Sequence, residues 1–504
     1  MKSSLLRVFM VGLGTLALVA GLALVVVLYT LHQHLIALIL LAFLAAATVV
    51  YVSPRAYAWR YMIPGIVAVV VAVLVPVVFT FAIGFTNRSL RNLHTFERAT
   101  AVLLDTTTPS GTGEGMDFKL YRAGERYRFE FVDDEDRRFV SDPVALGPSL
   151  RVPFRPATAP ETEDPVPRMD MNDLLPALGK VVAASPDGTE LRMSSPRRFV
   201  AQRPAYTRNP DGTLTATEDG AILRADHATG WWRRPDGTPV EPGFRTYVAG
   251  QQFVRIFTER RFFEPFARVF TWTVVFATLN TVFTFGIGIV FAALLSWEAL
   301  HFRNFYRLML FLPYAVPAFL SIPIFRGLFN ENLGEMNVIL EGLFGIRPEW
   351  FSSPMLARTM VLLVNAWLGY PYMMILCMGL IRAIPTELYE TSAVDGAGPL
   401  DNFFGITLPL IFRPIAPLLV ASFAFNFNNL TLIELLTRGL PDFLDTEVPA
   451  GSTDLVASYA YRIAFQDSGK NYALAAAISS IIFIIVATLA VINLRLFKVG
   501  REEA

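Results

Sequence analysis

The sequence predicts an all-α polytopic membrane protein with eight transmembrane helices and one β-rich domain inserted between the third and the fourth. Three observations carry that prediction. The 504 residues are 53% hydrophobic and only 17% charged, with a mean hydropathy of +0.45, on the apolar side of soluble composition. Eight mostly apolar stretches approach the roughly 20 residues that a helix needs to cross a bilayer. Of the 43 acidic residues, 26 fall within 86–267, and none precedes Glu97.

The eight stretches are 8–31, 35–52, 63–85, 269–296, 305–328, 357–380, 410–433 and 472–492. Lys2 and Arg7 precede the first, as in a secretory signal, but the run is long and meets the next span after only His32-Gln33-His34. It therefore reads as a retained helix. Orientation follows from the short loops, because basic residues near span ends stay on the cytoplasmic side. With the N-terminus inside, the inner segments carry Lys2 and Arg7, Arg55 and Arg60, Arg303 and Arg307, Arg382 and Arg413, and finally Arg495, Lys498 and Arg501. The outer loop 329–355 instead carries Glu331, Glu335, Glu341 and Glu349 against Arg347, with Arg326 near an outer end as the one exception. Both termini are thus expected in the cytoplasm and the insert outside. The chain divides into three N-terminal helices (1–85), the insert (86–267) and a five-helix core (268–504).

The insert is large enough for one domain with its own core. Pro-Asp-Gly occurs at Pro186, Pro210 and Pro235, and the alternating run Arg126-Tyr127-Arg128-Phe129-Glu130-Phe131 lies between turn signals, so strands are expected rather than helices. With Cys377 the sole cysteine, neither an intrachain disulfide nor a cysteine metal cluster is expected.

Several chemistries lack their residues. Gly179-Lys180 is followed by Val181 and Gly469-Lys470 by Asn471, without the glycine spacing of a phosphate-binding loop, so the chain is not expected to hydrolyse ATP itself. The five histidines are scattered, which gives no metal site and no Ser/His/Asp set. Balanced charge, 43 basic against 43 acidic residues, gives no field directed at nucleic acid. Ion-coupled carriers place ionisable groups near mid-bilayer; here Glu434 and Arg382 sit only at span ends. Backbone carbonyls at broken helices are an alternative ion site, and Pro313, Pro317, Pro323 and Pro371 mark candidate breaks or simple kinks.

The inner loop 383–409 runs against the basic trend, with Glu387, Glu390, Asp395 and Asp401. It reads as a short interfacial helix broken at Gly396, then a second short segment that stops before the next span. Such an acidic inner loop is expected to dock onto something.

Helical spacing singles out a candidate ligand site. Ser422, Phe425, Asn426 and Asn429 fall on one face of the seventh span, and Asn365, Leu368, Gly369 and Tyr372 repeat the spacing in the sixth. Amides donate to and accept from neighbouring sugar hydroxyls, an aromatic ring covers the C–H face of a pyranose, and Gly369 lets a ligand approach the backbone. A neutral sugar fits this chemistry. The alternative is that these amides and hydroxyls only bond neighbouring helices.

The spacing of Glu390, Gly396, Ile406, Leu408 and Pro409 resembles the EAA loop of permease subunits in binding-protein-dependent ABC importers, with Thr391 and Ser392 where that family has two alanines. Trp367-Leu368-Gly369-Tyr370-Pro371-Tyr372, Asp395-Gly396-Ala397-Gly398-Pro399, Ser422-Phe423-Ala424-Phe425-Asn426-Phe427-Asn428-Asn429 and Tyr459-Ala460-Tyr461-Arg462 are similar to the larger permease subunits of maltose/maltodextrin importers, the MalF type. The resemblance implies a type I ABC importer permease fold in a bacterial inner membrane, with the large domain periplasmic. It implies that Glu390, Ala393, Gly396, Ile406, Leu408 and Pro409 meet the ATPase, and that the two polar faces contact maltose. The implied partners are a second permease subunit (MalG type), two ATPase subunits (MalK type), a periplasmic maltose-binding protein and membrane lipid. No cofactor is expected in this chain, since ATP and Mg would be held by the ATPase subunits. Another neutral sugar remains an alternative cargo, and an ion-coupled carrier or a membrane-anchored sensor an alternative class.

Overall fold

The computed structural model describes residues 2–31, 34–109, 115–146, 150–157, 165–184, 190–297 and 299–497, with the side chains of 2–11, 35–36 and 168–170 outside the description. The turn at Pro186, the link His32-Gln33, and Lys498 and Arg501 also lie outside the described residues. The chain forms two compact units, Met1–Ala82 and Ile83–Ala504.

The N-terminal unit contains the helices Lys2–Thr30 and His34–Val52 and most of a continuous helical segment Pro54–Gly84. Their described side chains are largely apolar and mostly exposed, as expected for a helix solvated by lipid rather than packed on a core. Leu44 lies over Gly21, where a Cβ would come within 2.8 Å of it, so the first two helices touch at a small residue. A π-helical turn, Val70–Leu74, interrupts the third segment just before Pro76. Proline lacks the N–H for the regular bond and its ring crowds the carbonyl four residues back, and a wider turn relieves both.

Across both units, six described helices are long and apolar enough to cross a membrane, and a bent pair makes a seventh. Ala37–Val52 is a shorter apolar helix, so helix length alone supports six or seven spans rather than the expected eight. Three spans differ from the expected ones in detail. The fourth begins earlier, running Arg260–Ser296. The fifth is two helices, Arg303–Ala315 and Ala318–Leu328, bent by 92°. Of its three prolines, Pro317 makes the break: it starts the second helix, and Val316 before it is extended (φ −95°, ψ 125°), while Pro313 and Pro323 remain inside helices. The seventh segment, Pro399–Phe427, ends at Asn428, and a separate short helix, Leu430–Leu436, follows. Asn429 caps that helix, its side chain accepting from Leu432 N–H at 3.2 Å. Capping competes with helix continuation, which splits the expected 410–433 span.

Among the described residues the β-rich insert contains two sheets. The first contains β1 (Thr107–Pro109), β2 (Gly115–Ala123), β3 (Arg126–Asp133), β4 (Arg138–Ser141), β5 (Leu150–Ala157), β6 (Val181–Ala184), β7 (Glu190–Ser195) and β8 (Arg198–Pro204). Neighbours run β8-β2-β3-β4-β5-β6-β7, and β7 pairs back onto β8, so the sheet closes into a barrel with β1 beside the far end of β8. The parallel pair β5–β6 is joined through the helix Arg168–Leu178, as parallel pairing requires. Phe129, Phe131, Phe199, Val152, Leu178 and Leu191 fill the interior. Glu130, between the two inward phenylalanines, is also buried, but Tyr121 donates to it at 2.6 Å and Arg138 at 3.0 Å. The second sheet is an antiparallel meander, β9 (Tyr206–Arg208), β10 (Leu214–Ala216), β11 (Ile222–Asp226), β12 (Trp231–Arg233) and β13 (Pro239–Val240). Its Pro-Asp-Gly turns at Pro210 and Pro235 share one device: Asp211 and Asp236 accept the N–H of Thr213 and Thr238, two residues on, at 3.0 and 2.9 Å.

After Leu436 the chain makes an irregular excursion to the helix Val456–Phe465. It is held by arginines from three elements. Arg462 donates to Asp454 and Asp442, each at 2.7 Å, Arg268 forms a two-pronged pair with Asp445 at 2.9 and 2.7 Å, and Arg358 donates to the Ser452 carbonyl at 2.8 Å. Burial pushes the Asp454 carboxyl up to about 6 against the opposing pull of Arg462. The Asp454 side chain is fully enclosed and that of Arg462 nearly so. Asp454→Ala therefore leaves a buried guanidinium with only the half-exposed Asp442, and is expected to cost about 3–5 kcal/mol. The expected drop in thermal unfolding temperature is measured on detergent-purified protein; an unchanged transition contradicts this role.

Candidate functional site

The site is built on the packing of the fourth span against the sixth, Pro354–Ile381. At their crossing a Cβ on Gly288 would lie 2.7 Å from Met373 Cβ and 2.8 Å from the Met374 backbone nitrogen. One helix turn away on the sixth span, a Cβ on Gly369 would meet the Thr284 methyl at 2.7 Å. In this structure the space over Gly369 is filled by the Thr284 methyl, so the glycine also serves the packing of the two helices. Lipid tails are as apolar as side chains, so close backbone approach through small residues is what favours helix pairing here.

Beside this crossing the structure brings three of the eight expected ligand residues together. Asn365 donates to Asn426 Oδ1 at 2.7 Å, and Asn429 donates to Asn365 Oδ1 at 3.1 Å. Asn365 and Asn426 are buried. The seventh segment ends before Asn429, so this residue joins the cluster through the helix break rather than by sharing a helical face with Asn426, as the spacing had implied. Nor do Asn426 and Phe425 share surroundings: Phe425 is 72% exposed. Tyr372 is also exposed, Ser422 is half-buried, and Leu368 packs beside the cluster that contains Trp272 and Phe276. The arrangement is a chain of three amides bonded to one another, with two aromatic rings left open to surroundings outside this chain.

Spacing arguments missed the polar face of the fourth span. Thr273, Asn280, Thr281 and Thr284 are all buried, at helical intervals. Three hydroxyls return to carbonyls of their own helix, four residues back, at 2.7–2.8 Å. The buried Oδ1 of Asn280 has no hydrogen-bond partner among the described residues. The signal was present as a Thr/Asn stripe in an apolar helix. Tyr370 adds a link that no spacing shows, donating to the Leu310 carbonyl of the bent fifth span at 2.9 Å.

The inner loop folds as the helix Thr386–Val394, a turn at Gly396, and the helix Pro399–Asn402. Gly396 has φ +78°, a left-handed conformation that disfavours any residue with a Cβ. The second segment does not stop before the next span. It runs through a π turn, Phe403–Thr407, directly into Leu408–Phe427, with Pro409 just past the wide turn as Pro76 is in the third segment. The two arms are tied together: Ser392 bonds Asn402 at 2.6 Å and Tyr389 bonds Thr407 at 2.9 Å. Glu390, Ala393, Gly396 and Pro409 are exposed, whereas Ile406 and Leu408 are half-buried. Leu388, Val394, Leu400 and Phe404 are also exposed, so this short hairpin presents apolar side chains beside its acids. Among the described residues no group of three or more His, Cys, Asp and Glu is placed to hold a metal ion.

Comparison with known proteins places these features in one family. Residues 94–249 match the family model described as the maltose transport system permease protein MalF P2 domain. Residues 284–496 match the binding-protein-dependent transport system inner membrane component. The chain is 46% identical over 492 residues to the maltose/maltodextrin transport system permease protein MalF of Escherichia coli K12, covering 96% of this chain and 95% of that one. It is 45% identical to the protein of the same name in Salmonella typhimurium LT2, with the same coverage, and 44% identical to that of Yersinia pestis, covering 95% and 92%. A bacterial ABC transporter involved in the import of the acidic polysaccharide alginate is similar at 21% identity and a TM-score of 0.43, over 51% of this chain and 85% of that one. With its inserted P2 domain and its inner-membrane component on a single polypeptide, this chain belongs to the MalF family of binding-protein-dependent transport permeases.

Proposed function

We propose that this chain is the larger permease subunit of an ATP-driven importer that carries maltose and maltodextrins across a bacterial inner membrane. The likeness to MalF permeases over 96% of the chain at 46% identity carries this reading. In it, eight spans cross the membrane, the insert faces the periplasm and both termini face the cytoplasm. The chain contributes no ATPase site of its own. It pairs with a second permease, receives sugar from a periplasmic binding protein and rests on two ATPase subunits, which hold ATP and Mg.

The exposed hairpin around Gly396 is the proposed contact with the ATPase. Its continuity with the seventh span, through the π turn, supports a direct mechanical route from the hairpin to Asn426. Closure of the ATPase pair would push the hairpin, move the seventh segment against the fourth and sixth, and switch access to the path from one side to the other. Asn365, Asn426 and Asn429 would exchange part of their mutual bonding for sugar hydroxyls, while Phe425 and Tyr372 cover the apolar faces of the sugar rings. A neutral ligand suits a site with no charged member.

Detergent purification tests the assembly: a second permease and an ATPase subunit should co-purify, and maltotriose with its binding protein should stimulate ATP hydrolysis. Stimulation by trehalose instead assigns a different neutral cargo. Asn429→Asp retains an oxygen to cap Leu432 while removing the donor to Asn365, and Asn426→Ala removes the amide oxygen that accepts from Asn365. Both should lower maltose uptake roughly tenfold, a loss of about 1.4 kcal/mol, in reconstituted vesicles with insertion unchanged; wild-type uptake in both rejects the site. At the hairpin, Gly396→Pro imposes a negative φ where +78° is needed. Uptake should fall to background and the ATPase subunits should be lost on purification. Retained coupling sinks the hairpin assignment.

A further inference from the structure

The root of the insert holds an open cleft of about 440 Å³ that shares no residue with the asparagine cluster. It forms where the strand β12, the helix Gln251–Thr258 and the start of the last span, Tyr472–Leu496, come together. Main-chain bonds tie this junction: Ala473 N–H donates to the Arg88 carbonyl at 2.9 Å and Leu90 N–H to the Gly469 carbonyl at 3.2 Å. The volume is in the range that encloses a small organic ligand.

The lining has a definite chemistry. Its two arginines are already neutralised: Arg233 bonds Asp226 at 2.9 Å and Arg255 bonds Glu259 at 2.6 Å. Both acids are held ionised. A hydrogen bond from Thr229, assisted by Arg233 against the cost of burial, keeps Asp226 below its ordinary value. Burial opposes ionisation of Glu259 too, but Arg255 and Arg261 outweigh it and hold that carboxylate low. Each lining arginine thus has a carboxylate partner, so neither presents a free charge to a ligand.

Three lining groups retain uncommitted hydrogen-bonding capacity. Gln251 is exposed and its side-chain amide makes no hydrogen bond among the described residues; nor does the indole N–H of the half-buried Trp231. Asn471 uses its side-chain oxygen to cap Leu474 at 3.0 Å, leaving its Nδ2 hydrogens free. One indole, one amide and one amide donor beside paired charges suit hydroxyl groups on a compact ring. We propose that this cavity is a second binding site for a neutral oligosaccharide, separate from the site at the asparagine cluster. The choice of oligosaccharide rests on the proposed function. Because Asn471 starts the last span and Gln251 lies in the helix just before the fourth, a ligand here contacts the ends of two core spans at once.

The test uses the purified importer with all co-purifying subunits and without added binding protein, with radiolabelled maltotriose as the probe. Trp231 fluorescence is read as the difference between wild type and Trp231→Phe. Two classes of site are expected in the wild type. Phe425→Ala or Asn426→Ala should weaken one class and leave the Trp231 signal. The double variant Gln251→Ala/Asn471→Asp, which keeps the cap oxygen on Leu474, should weaken the other about tenfold while leaving the unfolding temperature unchanged. A single class that the asparagine-cluster variants remove overturns the second site and leaves the transport reading standing. Two classes that both survive the double variant overturn it as well. Absence of any maltotriose binding overturns the second site, and the transport reading is then decided by uptake with the binding protein present.

Discussion

Close backbone contact between the fourth and sixth spans is the constraint on which the rest of the core depends. In an apolar solvent two helices gain little from burying apolar surface against each other, so pairing depends on close packing and on hydrogen bonds between helices. Gly288 against Met373 and Gly369 against Thr284 provide the first. Asn365, from the same helix as Gly369, provides the second through Asn426 and Asn429. A residue with a larger side chain at Gly288 would separate the two helices, and the spacing that lets three amides meet would be lost with them.

Helix breaks give this packed core its irregularity. Each has a local cause that stays within physical reach of the proposed transport path. Pro317 turns the fifth span, leaving Tyr370 to hold its first half at Leu310. Asn429 caps a new helix and joins the amide cluster with the same side chain, its oxygen serving the cap and its nitrogen the cluster. Pro409 lies just after a wide turn that lets the helix of the inner hairpin continue into the seventh span. Polar groups set free by such breaks must find new partners where water is scarce. That requirement is why the breaks and the polar clusters coincide.

The arginine-held excursion between Leu436 and Val456 has a different physical basis. Arg268, Arg358 and Arg462 reach it from three separate elements, so an irregular backbone gains a fixed shape without regular hydrogen bonding. Removing a buried partner exposes the large desolvation cost of the remaining charge, which makes such a clamp stiff. The insert achieves rigidity by another route, closing its first sheet on itself so that few strand edges are left unpaired.

Composition and hydropathy alone determined the membrane class, the inserted β-rich domain, the acidic hairpin with its break at Gly396, and the asparagines as the polar residues of interest. These are properties of local pattern: an apolar run is long or short, and a glycine either permits a left-handed turn or does not. Tertiary structure decided which of three prolines bends the fifth span, that the first sheet closes through β7 and β8, and that Asn429 reaches Asn365 only because the helix ends before it. Periodicity predicts a shared face only while the helix continues, and whether it continues depends on which capping or packing partner is available in space. For the same reason Phe425 and Asn426, adjacent in sequence, ended in opposite surroundings, and Gly369 lies directly against Thr284.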